Sequence, residues 1–78
     1  MEGNSWFSLK SGDRLQKVTT FEYYGSPEDP DDGIVKAEPG DVVTVQEKIG
    51  DLLICVTASG TRFALSRYGI YTWEPFAG

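Results

Sequence analysis

Apolar, β-branched and aromatic residues in this chain fall in short runs punctuated by turn residues, and no stretch of ten shows apolar positions recurring at three and four. That pattern is the one left by half-buried strands separated by turns, so the chain reads as all-β. The first expected strand runs from Arg14 to Tyr24 and carries Leu15, Val18, Thr19, Thr20, Phe21, Tyr23 and Tyr24, with Gly25 ending it. Ser26 to Gly33 holds two prolines and four carboxylates, which oppose regular structure and predict a loop. Ile34–Ala37 resumes an extended run. Glu38-Pro39-Gly40-Asp41 fits a type II turn, because Gly40 can take the positive φ this turn requires.

Val42–Ile49 is the second long strand; Val43, Val45 and Ile49 share one parity and Glu47 breaks it. Gly50-Asp51 turns the chain into a third strand, Leu52–Thr57, and Ala58-Ser59-Gly60 leads into a fourth, Thr61–Leu65. Ser66-Arg67-Tyr68-Gly69 is expected as one tight turn before a short last strand, Ile70–Trp73, which Pro75 ends. Residues 1–12 are expected to pack on, or extend from, a barrel formed by residues 13–78.

The order of these pieces resembles that of the SH3 domains. Thr19-Thr20-Phe21-Glu22-Tyr23 looks like the Ala-Leu-Tyr-Asp-Tyr segment that opens them, and the acidic loop after it resembles their RT loop. Lys36-Ala37-Glu38-Pro39-Gly40-Asp41 and the strand after it are similar to the family's Lys-Lys-Gly-Asp segment. Leu65-Ser66-Arg67-Tyr68 looks like its Pro-Ser-Asn-Tyr turn. The resemblance spans residues 18 to 73 and implies a small five-stranded SH3-like barrel with Leu53 and Cys55 facing inward. Leu52-Leu53 stands where the family has paired tryptophans, Leu65 replaces a proline, and Arg62 replaces a glycine. Two walls of a proline-rich-peptide groove are therefore missing.

Charge narrows the partners. Seven basic residues against twelve acidic ones give a net charge of −5, and Arg62 with Arg67 is the only close arginine pair. Such a surface repels phosphate backbones, so no nucleic-acid partner is expected. The longest apolar run, Leu52 to Val56, is far short of the roughly 20 residues of a spanning helix. Met1 to Lys10 lacks the basic and apolar regions of a signal peptide. A soluble, cytoplasmic protein without membrane contact is expected. The chain has one cysteine and no histidine, hence no internal disulfide and no ready general base or common metal ligand. Cys55 is a core residue rather than a nucleophile on this reading, and neither enzymatic activity nor a cofactor is expected.

Three groups of residues remain as candidates for contact. Glu28, Asp29, Asp31 and Asp32 form an acidic run suited to Arg or Lys on a partner, or else a solvated loop. A calcium loop is disfavoured because Pro30 occupies the middle position of the Asp-x-Asp-x-Asp-Gly spacing. Tyr23, Tyr24, Tyr68 and Trp73 offer aromatic surface or fill the core, and alternation sends Tyr23 and Tyr24 to opposite sides. Leu52-Leu53-Ile54-Cys55-Val56 is apolar on both faces, and with Leu53 and Cys55 inward, as the resemblance implies, Leu52, Ile54 and Val56 form an outward stripe. Trp6, Phe7 and Leu9, a second copy of the chain, or a partner protein would cover that stripe.

These observations lead to the expectation of a small non-enzymatic module that binds a protein or peptide through its acidic loop, its tyrosines, or the stripe. The alternatives are a homo-oligomer whose site forms at the subunit interface, and a short phage or mobile-element protein that inhibits a host factor.

Overall fold

The computed structural model describes residues 6–77; residues 1–5 of the expected N-terminal segment, and residue 78, lie outside the described residues. Seven strands follow in the order β1 (Arg14–Lys17), β2 (Glu22–Gly25), β3 (Gly33–Ala37), β4 (Val42–Ile49), β5 (Leu52–Val56), β6 (Arg62–Ser66) and β7 (Trp73–Pro75). Five of them form an antiparallel sheet ordered β6-β5-β4-β1-β7, while β2 and β3 form a separate hairpin. The fold is all-β.

The expected strand from Arg14 to Tyr24 is broken in two. Lys17 exchanges backbone bonds with the Gly40–Asp41 turn, and the Val18 N–H turns away to the Thr72 carbonyl at 3.0 Å. The chain then bends at Thr19-Thr20 and leaves the sheet, so Glu22–Gly25 pairs only with β3. The late turn is also longer than expected. Ser66 caps a six-residue 3₁₀ segment, Arg67–Thr72, by accepting the Tyr68 N–H on its side chain. The last strand therefore begins at Trp73, where it pairs with β1.

Two turns follow the sequence closely. The Asp41 N–H donates to the Glu38 carbonyl at 2.9 Å with Gly40 at φ 95°, as a type II turn requires. Gly50-Asp51 joins β4 to β5 as a two-residue hairpin, with Ile49 opposite Leu52 and Gly50 at φ 58°.

Glu47 breaks the parity of β4 for a structural reason. Val45 pairs with Cys55 but Glu47 pairs with Ile54, so Gln46 is an extra residue and the strand bulges there. Beyond the bulge the faces are exchanged. Ile49, expected to share the inward side of Val43 and Val45, is 54% exposed. Lys48 turns inward instead, donating to the Trp6 carbonyl at 2.7 Å with its ammonium 5.1 Å from that ring.

Leu15, Val43, Val45, Leu53, Cys55, Phe63, Leu65, Ile70 and Trp73 make the centre of the core, and Val35 and Ala37 of β3 join it. Trp6, which opens a short 3₁₀ turn over Trp6–Ser8, and Leu9 belong to this inner cluster too. They do not lie over the outward stripe. Phe7 is exposed, with the Arg67 guanidinium 5.3 Å from its ring.

The sheet does not close into a barrel. No backbone ladder joins its β6 edge to β2. Side-chain packing spans that gap, with the Tyr24 ring of β2 lying 5.3 Å from the Phe63 ring of β6. The expectation of a closed five-stranded barrel is corrected to an open five-stranded sheet with a hairpin folded across it.

Candidate functional site

The β2–β3 hairpin carries most of the chemistry at the surface. Its loop folds back on itself: the Asp29 N–H reaches both the Ser26 carbonyl and hydroxyl at 3.1 Å, and the Asp32 N–H reaches the Asp29 carbonyl at 3.1 Å. Gly25 is buried beneath these turns. A Cβ there would lie 2.5 Å from the Pro30 carbonyl, so the close approach requires glycine. The turns hold Glu28, Asp29, Asp31 and Asp32 at the exposed tip.

No ion pair neutralises those four carboxylates among the described residues. All seven cations of the chain are directed elsewhere. Lys10 pairs with Asp13, Lys17 with Glu22, Lys36 with Glu38, and Arg67 with Asp51. Lys48 is held by Trp6, Arg14 lies over Phe76, and Arg62 donates to Gln46. The tip therefore presents negative charge without a counter-ion among the described residues. The carboxylates do not converge on a point, and no cluster able to hold a metal occurs among the described residues.

At the base of the same hairpin, Phe21 and Tyr23 stand edge to face with ring centroids 5.8 Å apart. Both are at least half exposed, Tyr23 at 62%. The Lys36 ammonium sits 4.4 Å from the Phe21 ring, on the strand opposite. Gly33 packs closely against Tyr23, since a Cβ on it would stand 3.1 Å from the Tyr23 Cβ. Phe21 was not among the residues singled out from sequence. Its position two before Tyr23 in an extended chain, hence on the same side, is the signal that identifies it.

Tyr24 faces the other way, as alternation requires. Its hydroxyl donates to Glu22 Oε1 and accepts the Trp73 indole N–H at 3.1 Å. Glu22 also receives the Lys17 ammonium at 3.1 Å and the Thr72 hydroxyl at 3.1 Å. Lys17 donates in addition to Thr19 Oγ1 at 2.8 Å. The Tyr24 hydrogen bond, aided by Lys17 and Thr72, holds the Glu22 carboxyl below its usual range, while burial and the same carboxylate push Tyr24 up to about 12. Sequence reading missed this network, because Lys17 occupies an inward position where the strand pattern calls for an apolar residue.

The other singled-out residues are dispersed. Trp73 is 1% exposed, stacked on Phe63 at 6.2 Å, and is removed from any recognition surface. Ile54 is likewise 1% exposed, so the middle of the outward stripe is already covered within one chain. Arg62 of β6 donates to Gln46 of β4 at 2.8 Å, a bond that crosses over β5 between them. Leu52 and Val56 are half-buried. Tyr68 is exposed at the 3₁₀ segment, its ring 5.8 Å from the Arg67 guanidinium, and Tyr71 beside it is exposed as well. No ring contact joins Tyr68 to Tyr23 among the described residues.

The thiol of Cys55 is fully buried, and burial pushes it up to about 12. A buried, protonated thiol is a poor nucleophile at neutral pH. No described helix is long and apolar enough to cross a membrane. Compared with family models, curated proteins and solved structures, the chain matches none.

Proposed function

We propose that this protein is a non-enzymatic interaction module that recognises a basic segment of a partner protein through its β2–β3 hairpin. The observation that carries the proposal is the partition of charge: every lysine and arginine is directed elsewhere, and four exposed carboxylates at the hairpin tip have no ion-pair partner among the described residues. Unpaired surface charge steers association with a partner of opposite sign. Phe21 and Tyr23 at the hairpin base add rigid contact area next to that charge.

We read the chain as SH3-like on topology. The order β6-β5-β4-β1-β7, a hairpin inserted after the first strand and a 3₁₀ segment before the last support that reading, and the hairpin then corresponds to the RT loop. The reading concerns fold, and function rests on the hairpin's own residues.

Selection from a random peptide library against the wild-type protein tests the proposal. Recovered peptides should be rich in Arg and Lys, and should lose binding to an Asp31→Ala plus Asp32→Ala variant of unchanged stability. Peptides without basic enrichment, bound equally by that variant, would remove the reading.

A further inference from the structure

A cleft of about 410 Å³ opens on the far side of β3 from β2. It is lined along one wall by Ile34, Val35, Lys36 and Ala37. Side chains of successive strand residues point to opposite faces, so four consecutive residues line one cleft only where the strand presents its edge to it. Among the described residues β3 pairs with β2 alone, which leaves that second edge without a ladder. The cleft continues along Val42 and Val43. There β4 is open as well: its pairing with β1 reaches Val42, whereas its pairing with β5 stops at Thr44 opposite Val56. The Thr57–Thr61 turn forms the opposite wall and is closed on itself, the Thr57 N–H donating to the Thr61 carbonyl at 2.9 Å.

The other sheet edges are protected differently. β7 has three residues and ends in Pro75, and β6 is flanked by the aromatic packing of β2. Short length and proline are common ways to blunt an edge. β3 has neither, and it exposes Ile34 beside the open edge.

We infer that the cleft accepts an extended segment of a partner protein, which adds as a strand to the open edge of β3. The edge groups recognise main chain, and the charges at either end of β3 select the sequence. Asp31 and Asp32 precede the strand and Asp41 follows it, all exposed, while the exposed Glu38 is paired with Lys36. The strand that fits has β-branched residues at its centre and Lys or Arg at both ends. A second copy of this chain is disfavoured in the register that centres on Val35. Antiparallel self-pairing about Val35 sets Asp32 opposite Glu38 of the other copy, and like charges placed opposite each other destabilise a ladder. The inference rests on the proposed recognition of basic segments and adds the binding mode.

The probe is a synthetic peptide, Arg-Lys-Val-Thr-Val-Thr-Val-Lys-Arg, titrated into isotopically labelled protein. Binding should perturb and protect the amides of Ile34–Ala37, Val42 and Thr57–Thr61. N-methylation of the peptide at alternate residues should abolish binding in one register and spare it in the other. Ala58→Tyr, a substitution at an exposed residue of the turn wall, should fill the cleft and weaken binding at least about tenfold. If the peptide binds with perturbations confined to residues 21–32 and Ala58→Tyr has no effect, strand addition is overturned while the acidic-hairpin reading stands. Absence of binding at about 1 mM peptide overturns the inference, and the library selection then decides the broader reading separately.

Discussion

Lys17 and Glu22 form an ion pair at 3.1 Å in which the lysine side chain is wholly buried and the glutamate is 43% exposed. The pair sits where the chain leaves β1 to begin the hairpin. Glu22 also receives Tyr24 and Thr72, so one carboxylate ties the hairpin base to the sheet and to the 3₁₀ segment.

Glu22→Gln keeps an acceptor for Tyr24 and Thr72 but leaves the buried ammonium without a counter-charge. It should destabilise the fold by roughly 2–3 kcal/mol, below the about 3–5 kcal/mol of a fully buried pair because Glu22 is partly solvated. Lys17→Met combined with Glu22→Gln should recover much of that loss, since it removes the buried charge as well. Urea denaturation of both single variants and the double variant measures the coupling.

The pH dependence of stability should change at both ends of the range. Glu22 has a lowered folded-state value, so its contribution is present above the ordinary value of 4.5 and disappears as pH falls through the lowered one. Tyr24 is raised from 10.0 to about 12, so its contribution is intact below the ordinary value and is lost as pH rises from there through about 12. Stability of Glu22→Gln should therefore fall less steeply in acid than wild type. Ultraviolet titration of wild type against Tyr24→Phe should show one phenol ionising near pH 12.

Much of the fold was legible because turns and β-type residues alternate in short runs. The type II turn at Gly40 and the two-residue turn at Gly50 are local chemistry, visible in four residues. The break after Lys17 was not legible, because Val18, Thr19 and Thr20 have good strand propensity and only tertiary pairing diverts them. The bulge at Gln46 had a trace in the sequence, the misplaced Glu47, whose meaning depends on the partner strand. For the candidate site, the acidic tip could be read directly from Glu28, Asp29, Asp31 and Asp32. Neither the burial of Trp73 and Ile54 nor the commitment of each cation could be read that way, since both depend on which strands become neighbours.

Gly25→Ala should destabilise the protein by about 1–3 kcal/mol, the range for overpacking a tight site. Its Cβ would push the Asp29–Pro30 backbone off the hairpin. Gly12→Ala meets nothing within 4 Å, but strains a backbone at φ 96°, and should cost about 1 kcal/mol. Thermal melting of the two variants separates steric from conformational cost.

Cys55 should resist alkylation by iodoacetamide in the folded protein and react readily in urea, because burial both shields the thiol and keeps it protonated. Rapid labelling under native conditions would show that β5 opens locally.

The central claim is that the hairpin tip is the recognition surface, and the most direct measurement is a chemical-shift map of a library-selected peptide on the labelled protein. The account predicts perturbations concentrated on Phe21, Tyr23 and residues 25–37, with affinity falling as salt screens the carboxylates. Perturbations confined to Tyr68, Tyr71 or the outer face of β5, insensitive to salt, would contradict it.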